Sequence, residues 1–133
     1  MSRIVLPALA AASLVLAGCS RGGEVDKPYR LDPTRECLVN ADLRVGAVPR
    51  SDFVAQTASG GSLRVRFADI RLTLTFGEDD AEASRTEQAY RRFAPSRLPI
   101  DDVLRRDRNV VELWEFAPTI DHLETLNRCL KSD

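Results

Sequence analysis

Apolar positions recur along this chain with two different periods, and each change of period marks a boundary between elements. Asp32-Pro33 reads as an N-cap with proline at the first helical position. Cys37, Leu38 and Ala41 then share a helical face that ends near Asn40 to Asp42. Leu43 to Val48 alternates as a half-buried strand closed by Pro49. Ser51 to Ala58 fits either state through Phe53 and Val54, and Gly60-Gly61 is a break. The strongest alternation follows. Leu63, Val65 and Phe67 are interleaved with Arg64 and Arg66, and Ile70, Leu72, Leu74 and Phe76 with Arg71, Thr73 and Thr75. The phase slips at Ala68-Asp69, which predicts a hairpin or, as an alternative, a bulge in one long strand.

Past Gly77 the period returns to the helical one. Acidic residues from Glu78 to Glu82 open an element that closes at Arg91-Arg92, matching the helix dipole. Ala83, Thr86, Ala89, Tyr90 and Phe93 make its narrow apolar face, and Pro95 stops it. Ile100, Val103 and Leu104 suggest a helix of one or two turns. Val110 to Phe116, apolar in both parities, predicts an inner strand. Pro118 opens a final helix with Ile120, Leu123, Leu126 and Leu130 as its buried stripe. The order helix, strand, hairpin, helix, strand, helix predicts an α+β fold. Its expected form is a two-layer sandwich: about four mainly antiparallel strands, helices on one face, and the ribbon's Arg and Thr face left wet. The hairpin–helix–strand part could belong to a ferredoxin-like arrangement, which implies no function.

The first 20 residues follow neither period. Ile4 to Ala17 is an apolar run of 14 residues preceded by Arg3. As a helix it would reach about 21 Å, short of a bilayer core of about 30 Å, and it has the build of an export signal. The run ends in Leu16-Ala17-Gly18-Cys19, which resembles the lipobox of bacterial lipoproteins at every position. The resemblance is confined to residues 1–20. It implies a signal peptide over 1–18, cleavage before Cys19, and diacylglycerol on the Cys19 sulfur, usually with a further acyl chain. Several acyl chains give stable membrane attachment. Ser20 in place of Asp implies passage to the outer membrane in a Gram-negative cell; otherwise the outer face of the plasma membrane is expected. Residues 19–31, polar with two glycines at Gly22-Gly23, read as the lipidated cysteine and a flexible tether, and 32–133 as a single domain.

Composition narrows the function classes. The chain has 133 residues with 19 Lys plus Arg against 20 Asp plus Glu, for a net charge of −1. That balance argues against a general nucleic-acid binder. The cysteine count is 3. With Cys19 assigned to lipid, Cys37 and Cys129 remain in an oxidising compartment, each beside a leucine of a predicted helix. A disulfide tying the first helix to the last is expected, since no C-x-x-C or histidine cluster points to a redox or metal site.

Chemical candidates are few. His122 is the single histidine, and no strained nucleophile motif accompanies it, so a surface helix histidine is expected. Glu78, Asp79, Asp80 and Glu82 lack the ligand spacing of a calcium loop and suit a helix N-terminus. Glu112 and Glu115 have opposite strand parity and make a poor acid/base pair. Trp114, in the most apolar strand, is expected in the core. No catalytic residue, metal or cofactor is indicated. Arg64, Arg66 and Arg71 share the polar face of the ribbon, and Arg44 is positioned to join them. Such a row suits an anionic envelope partner: lipid headgroups, a wall polymer or protein carboxylates.

The expected function is therefore a non-catalytic, membrane-anchored module that binds a protein or anionic polymer. The alternative is a surface-held enzyme inhibitor or small hydrolase. A deep pocket lined by Asp or Glu with a raised pKa would favour an enzyme, a protruding Val48–Ser62 loop an inhibitor, and a flat Arg-bearing face the binding module.

Overall fold

The structure, a computed structural model, describes residues 26–133; the predicted signal peptide, lipobox and Cys19 lie outside the described residues. Ten elements follow in chain order: α1 (Leu31–Asn40), β1 (Arg44–Gly46), α2 (Phe53–Gln56), β2 (Ser62–Arg66), β3 (Arg71–Phe76), α3 (Asp80–Phe93), α4 (Ile100–Val103), β4 (Leu104–Asp107), β5 (Val110–Trp114) and α5 (Ile120–Cys129). The strands form one sheet in the order β1-β2-β3-β5-β4, antiparallel at every pairing. The fold is α+β.

Several details differ from the sequence expectation. The sheet has five strands, because Leu104, expected in a short helix, instead begins β4 and pairs with Leu113. The helices cover both faces. Leu38 of α1 and Leu126 and Cys129 of α5 pack with Leu63, Val65, Leu72, Leu74 and Trp114 on one face. Val54 of α2 and Ala83 and Tyr90 of α3 pack with Leu104 and Val111 on the other. Alternation along the strands puts these two sets of strand residues on opposite sides. The second face is consequently only half open: Thr73 and Thr75 are buried while Arg44, Arg66 and Arg71 stay exposed.

The slip at Ala68-Asp69 is a hairpin turn, with the Phe67 N–H donating to Ile70 O at 2.9 Å. Ser51–Ala58 contains the single-turn α2, whose N-terminus Asp52 caps by accepting from the Ala55 N–H at 2.9 Å. α3 starts with the Asp79 side chain accepting from the Glu82 N–H at 2.8 Å. α1 starts earlier than Asp32-Pro33 predicts, at Leu31, because Leu31 packs against the core and its neighbour Arg30 donates its backbone N–H to Lys131 O at 2.8 Å. Proline in a first turn removes no intrahelical hydrogen bond.

The end of the expected tether is also bound to the domain. Tyr29 exchanges hydrogen bonds with the buried Asn109 side chain at 2.7 and 2.9 Å, and Asn109 donates to Gly77 O as well. Arg108 stacks 4.6 Å from the Tyr29 ring centroid and pairs with Asp26. Residues 27–31 are thus docked rather than free, since these backbone groups have fixed partners.

Cys37 and Cys129 stand at disulfide distance, Sγ–Sγ 2.10 Å and Cα–Cα 5.2 Å, with a sequence separation of 92. A crosslink of that span removes about 4–5 kcal/mol of chain entropy from the unfolded state, reduced by any strain. It fastens α1 to α5 over the first sheet face, beside the Thr34 hydroxyl that accepts from the Lys131 N–H.

Candidate binding surface

Strand register places the four predicted arginines together. Arg44 faces Arg66 across the β1–β2 ladder, Arg66 faces Arg71 across the β2–β3 ladder, and Arg64 lies on the same side opposite Thr73. Directly opposed like charges are destabilising in an antiparallel pair. Arg71 is relieved by Glu115, which takes a hydrogen bond from its guanidinium at 2.6 Å and one from its backbone N–H at 3.1 Å. This partner holds the Glu115 carboxyl below the usual carboxylate range and raises Arg71 in turn.

The other strand arginines are sorted by partner. Arg105 pairs with Glu112 and Arg106 with Glu87. Among the described residues, no ion pair engages Arg44, Arg64 or Arg66. Three guanidiniums of β1 and β2 therefore make no direct ion pair, although Asp42, Asp69 and Glu115 line the same hollow as Arg44 and Arg66, and Arg64 adds to the field that lowers the Glu115 pKa. Arg64 is half-buried where the covered and open halves meet, and its Nε is buried without a hydrogen-bond partner among the described residues.

Next to this surface lies an apolar groove that the sequence did not disclose. Phe53 of α2 and Phe93 of α3 meet edge to face at 5.0 Å and are both exposed, above Tyr90, Leu98, Ile100 and Leu113. Phe93 was legible as a residue of the α3 face, but while Ala83 and Tyr90 of that face reach the sheet, Phe93 packs on Phe53 and stays exposed. The Tyr90 hydroxyl donates to Asp52 at 2.9 Å, and burial followed by the Asp52 charge raises its pKa far above the ordinary value. Asp52 thus both caps α2 and holds α3 to it.

His122 is a correction to the surface expectation. It is 8% exposed, in contact with Phe67 and Trp114. Its Nδ1 accepts from the Thr119 N–H at 3.1 Å in a capping box, and its Nε2 lies 2.9 Å from Asp69. An Nδ1 that accepts puts the imidazole proton on Nε2, which donates to Asp69. The ring joins α5 to the hairpin turn that carries the arginines. Ile120, expected in the buried stripe of α5, is 74% exposed because the stripe turns through His122 instead.

Comparison with protein-family models, curated proteins and solved structures finds no match.

The remaining candidates take structural places. Trp114 is in the core and donates from Nε1 to Glu112 at 3.0 Å. Glu112 is 3% exposed on the α1/α5 side, and burial raises its pKa against the opposing effects of Trp114 and Arg105. It lines neither the arginine surface nor the groove, and Glu115 lies on the opposite face. Glu82 accepts hydrogen bonds from the Glu78 N–H, the Ser59 hydroxyl and the Ser59 N–H, which lower its pKa; no group of three or more potential metal ligands occurs among the described residues. Val48 to Ser62 is anchored on the domain through the buried Val48, Val54 and Ala55, with most of its other residues exposed.

Proposed function

We propose that this chain is a cell-envelope lipoprotein, anchored through Cys19 after export, whose small domain binds an anionic partner through Arg44, Arg64 and Arg66 without catalysing a reaction. One observation carries the binding reading: of the six strand arginines, those of β3 and β4 have carboxylate partners and those of β1 and β2 have none among the described residues. Stacking like charges across two ladders works against stability, and an anionic ligand removes that penalty. The anchor rests on the lipobox resemblance, and no helix of the described residues is long and apolar enough to cross a membrane. The domain carries no cofactor in this reading.

The test is a salt titration of binding to isolated anionic envelope polymer, with the parent and with Arg44, Arg64 and Arg66 all changed to Glu. Binding that weakens with salt and is lost on charge reversal is expected. Unchanged binding after reversal overturns the reading. Incorporation of labelled palmitate into the parent and not into Cys19→Ala tests the anchor.

A further inference from the structure

The arginine surface and the apolar groove are continuous. Leu98 and Leu113 line the Phe53–Phe93 groove and also the hollow that holds Arg64, Arg71, Thr73 and Glu115, the last of which is paired with Arg71 and not with Arg64. Arg64 stands at this seam with a buried Nε donor that nothing among the described residues accepts from. A buried donor in that state is costly until it is paired. Beside it, two phenyl rings about half exposed form an apolar patch of the kind that marks an interaction site.

We infer that the partner is an acidic protein segment carrying a large apolar side chain, with that side chain seated between Phe53 and Phe93 and a neighbouring carboxylate accepting from Arg64 and Arg66. The inference rests on the anionic-partner reading and narrows it. A polymer of uniform charge offers the groove nothing of matching chemistry, whereas a guanidinium fork matches a planar carboxylate at two points.

The bilayer is the competing anionic surface, and a vesicle probe separates it from a protein partner. The described chain begins at Asp26, paired with Arg108 at the β4–β5 turn. Glu115 and Arg71 mark the other end of those strands, roughly 17 Å away at about 3.3 Å per residue along β5. Asp26 and the Arg71–Glu115 pair thus lie at opposite ends of β5.

The full chain, held in a neutral phosphatidylcholine nanodisc, is titrated with three probes. They are a short glutamate-rich peptide with one central phenylalanine, the same peptide with glycine there, and phosphatidylglycerol vesicles. The phenylalanine peptide is expected to bind at least about tenfold tighter than its glycine counterpart. Phe93→Ser should abolish that preference and Phe93→Leu retain it, with both variants still unfolding cooperatively above the assay temperature, while Arg64→Ala weakens both peptides. Equal binding of the two peptides overturns this inference and leaves the anionic-partner reading standing. Preference for the vesicles over both peptides also overturns it, in favour of a lipid. Binding of every probe that is indifferent to reversal of Arg44, Arg64 and Arg66 overturns the underlying reading as well.

Discussion

Arg66 and Arg71 are Cα partners across the β2–β3 ladder, so two like charges stand side by side on the open half of a sheet. Arg44 flanks Arg66 from the other side. Nothing in the packing requires this row, since none of the three side chains is buried.

Arg66→Thr is therefore expected to stabilise the fold, by about 0.2–1 kcal/mol at low ionic strength, chiefly by removing repulsion from Arg44, since Arg71 is already paired with Glu115. The gain should shrink in high salt, where exposed charges are screened. The same substitution should weaken binding to an anionic partner. Chemical denaturation at two salt concentrations measures the first effect; a less stable variant at low salt would show that Arg66 contributes packing instead.

Cys37→Ser, or reduction of the Cys37–Cys129 bond, should destabilise the domain by about 2–5 kcal/mol. The loss should fall on the α1/α5 face, with the α2/α3 face keeping most of its amide protection. Hydrogen exchange with and without reductant reads both. Two free thiols in the purified protein by non-reducing mass spectrometry would contradict the crosslink.

Glu112→Gln should stabilise the domain at neutral pH. Burial raises the folded pKa of Glu112 above the ordinary 4.5. The protonated form is thus favoured in the fold, and its stabilising contribution is complete below the unfolded pKa and lost as pH rises through the folded one. Glutamine keeps an acceptor for Trp114 Nε1 and carries no charge to desolvate. Parent and variant should converge below pH 4.5 and separate above it in thermal unfolding. A variant less stable at neutral pH would mean that Arg105, at 3.6 Å, outweighs desolvation.

His122→Ala should cost about 1–3 kcal/mol, the sum of a lost cap and a lost buried contact. A double-mutant cycle with Asp69→Ala isolates the link between α5 and the hairpin turn. Additive effects would show that the 2.9 Å contact contributes nothing of its own.

The extent to which this was legible in the sequence differs by element. The β2–β3 hairpin, α3 and α5 have long, clean periods and lie where those periods put them. β4 did not announce itself: Leu104-Arg105-Arg106-Asp107 has a single apolar residue, and it is a strand because β5 offers it a free edge. His122 reads as polar in isolation and is buried because two hydrogen-bond partners, Thr119 and Asp69, meet its ring nitrogens. Phe53 and Phe93 read as core residues and form an open groove, because α2 is a single turn and the two rings pack on each other with about half of each left exposed.

The sequence alone determined the elements with strong periodicity, the α+β class, and the residue types on each strand face, because side-chain alternation is local and has a fixed period. Tertiary structure decided which arginines keep a free charge. Arg64 and Arg71 alternate with apolar residues in the same way along the chain, and only strand order puts Glu115 in ion-pair contact with Arg71 while Arg64, in the same hollow, makes no ion pair. Pairing of charges depends on neighbours distant in sequence, and that information appears only when the sheet is assembled.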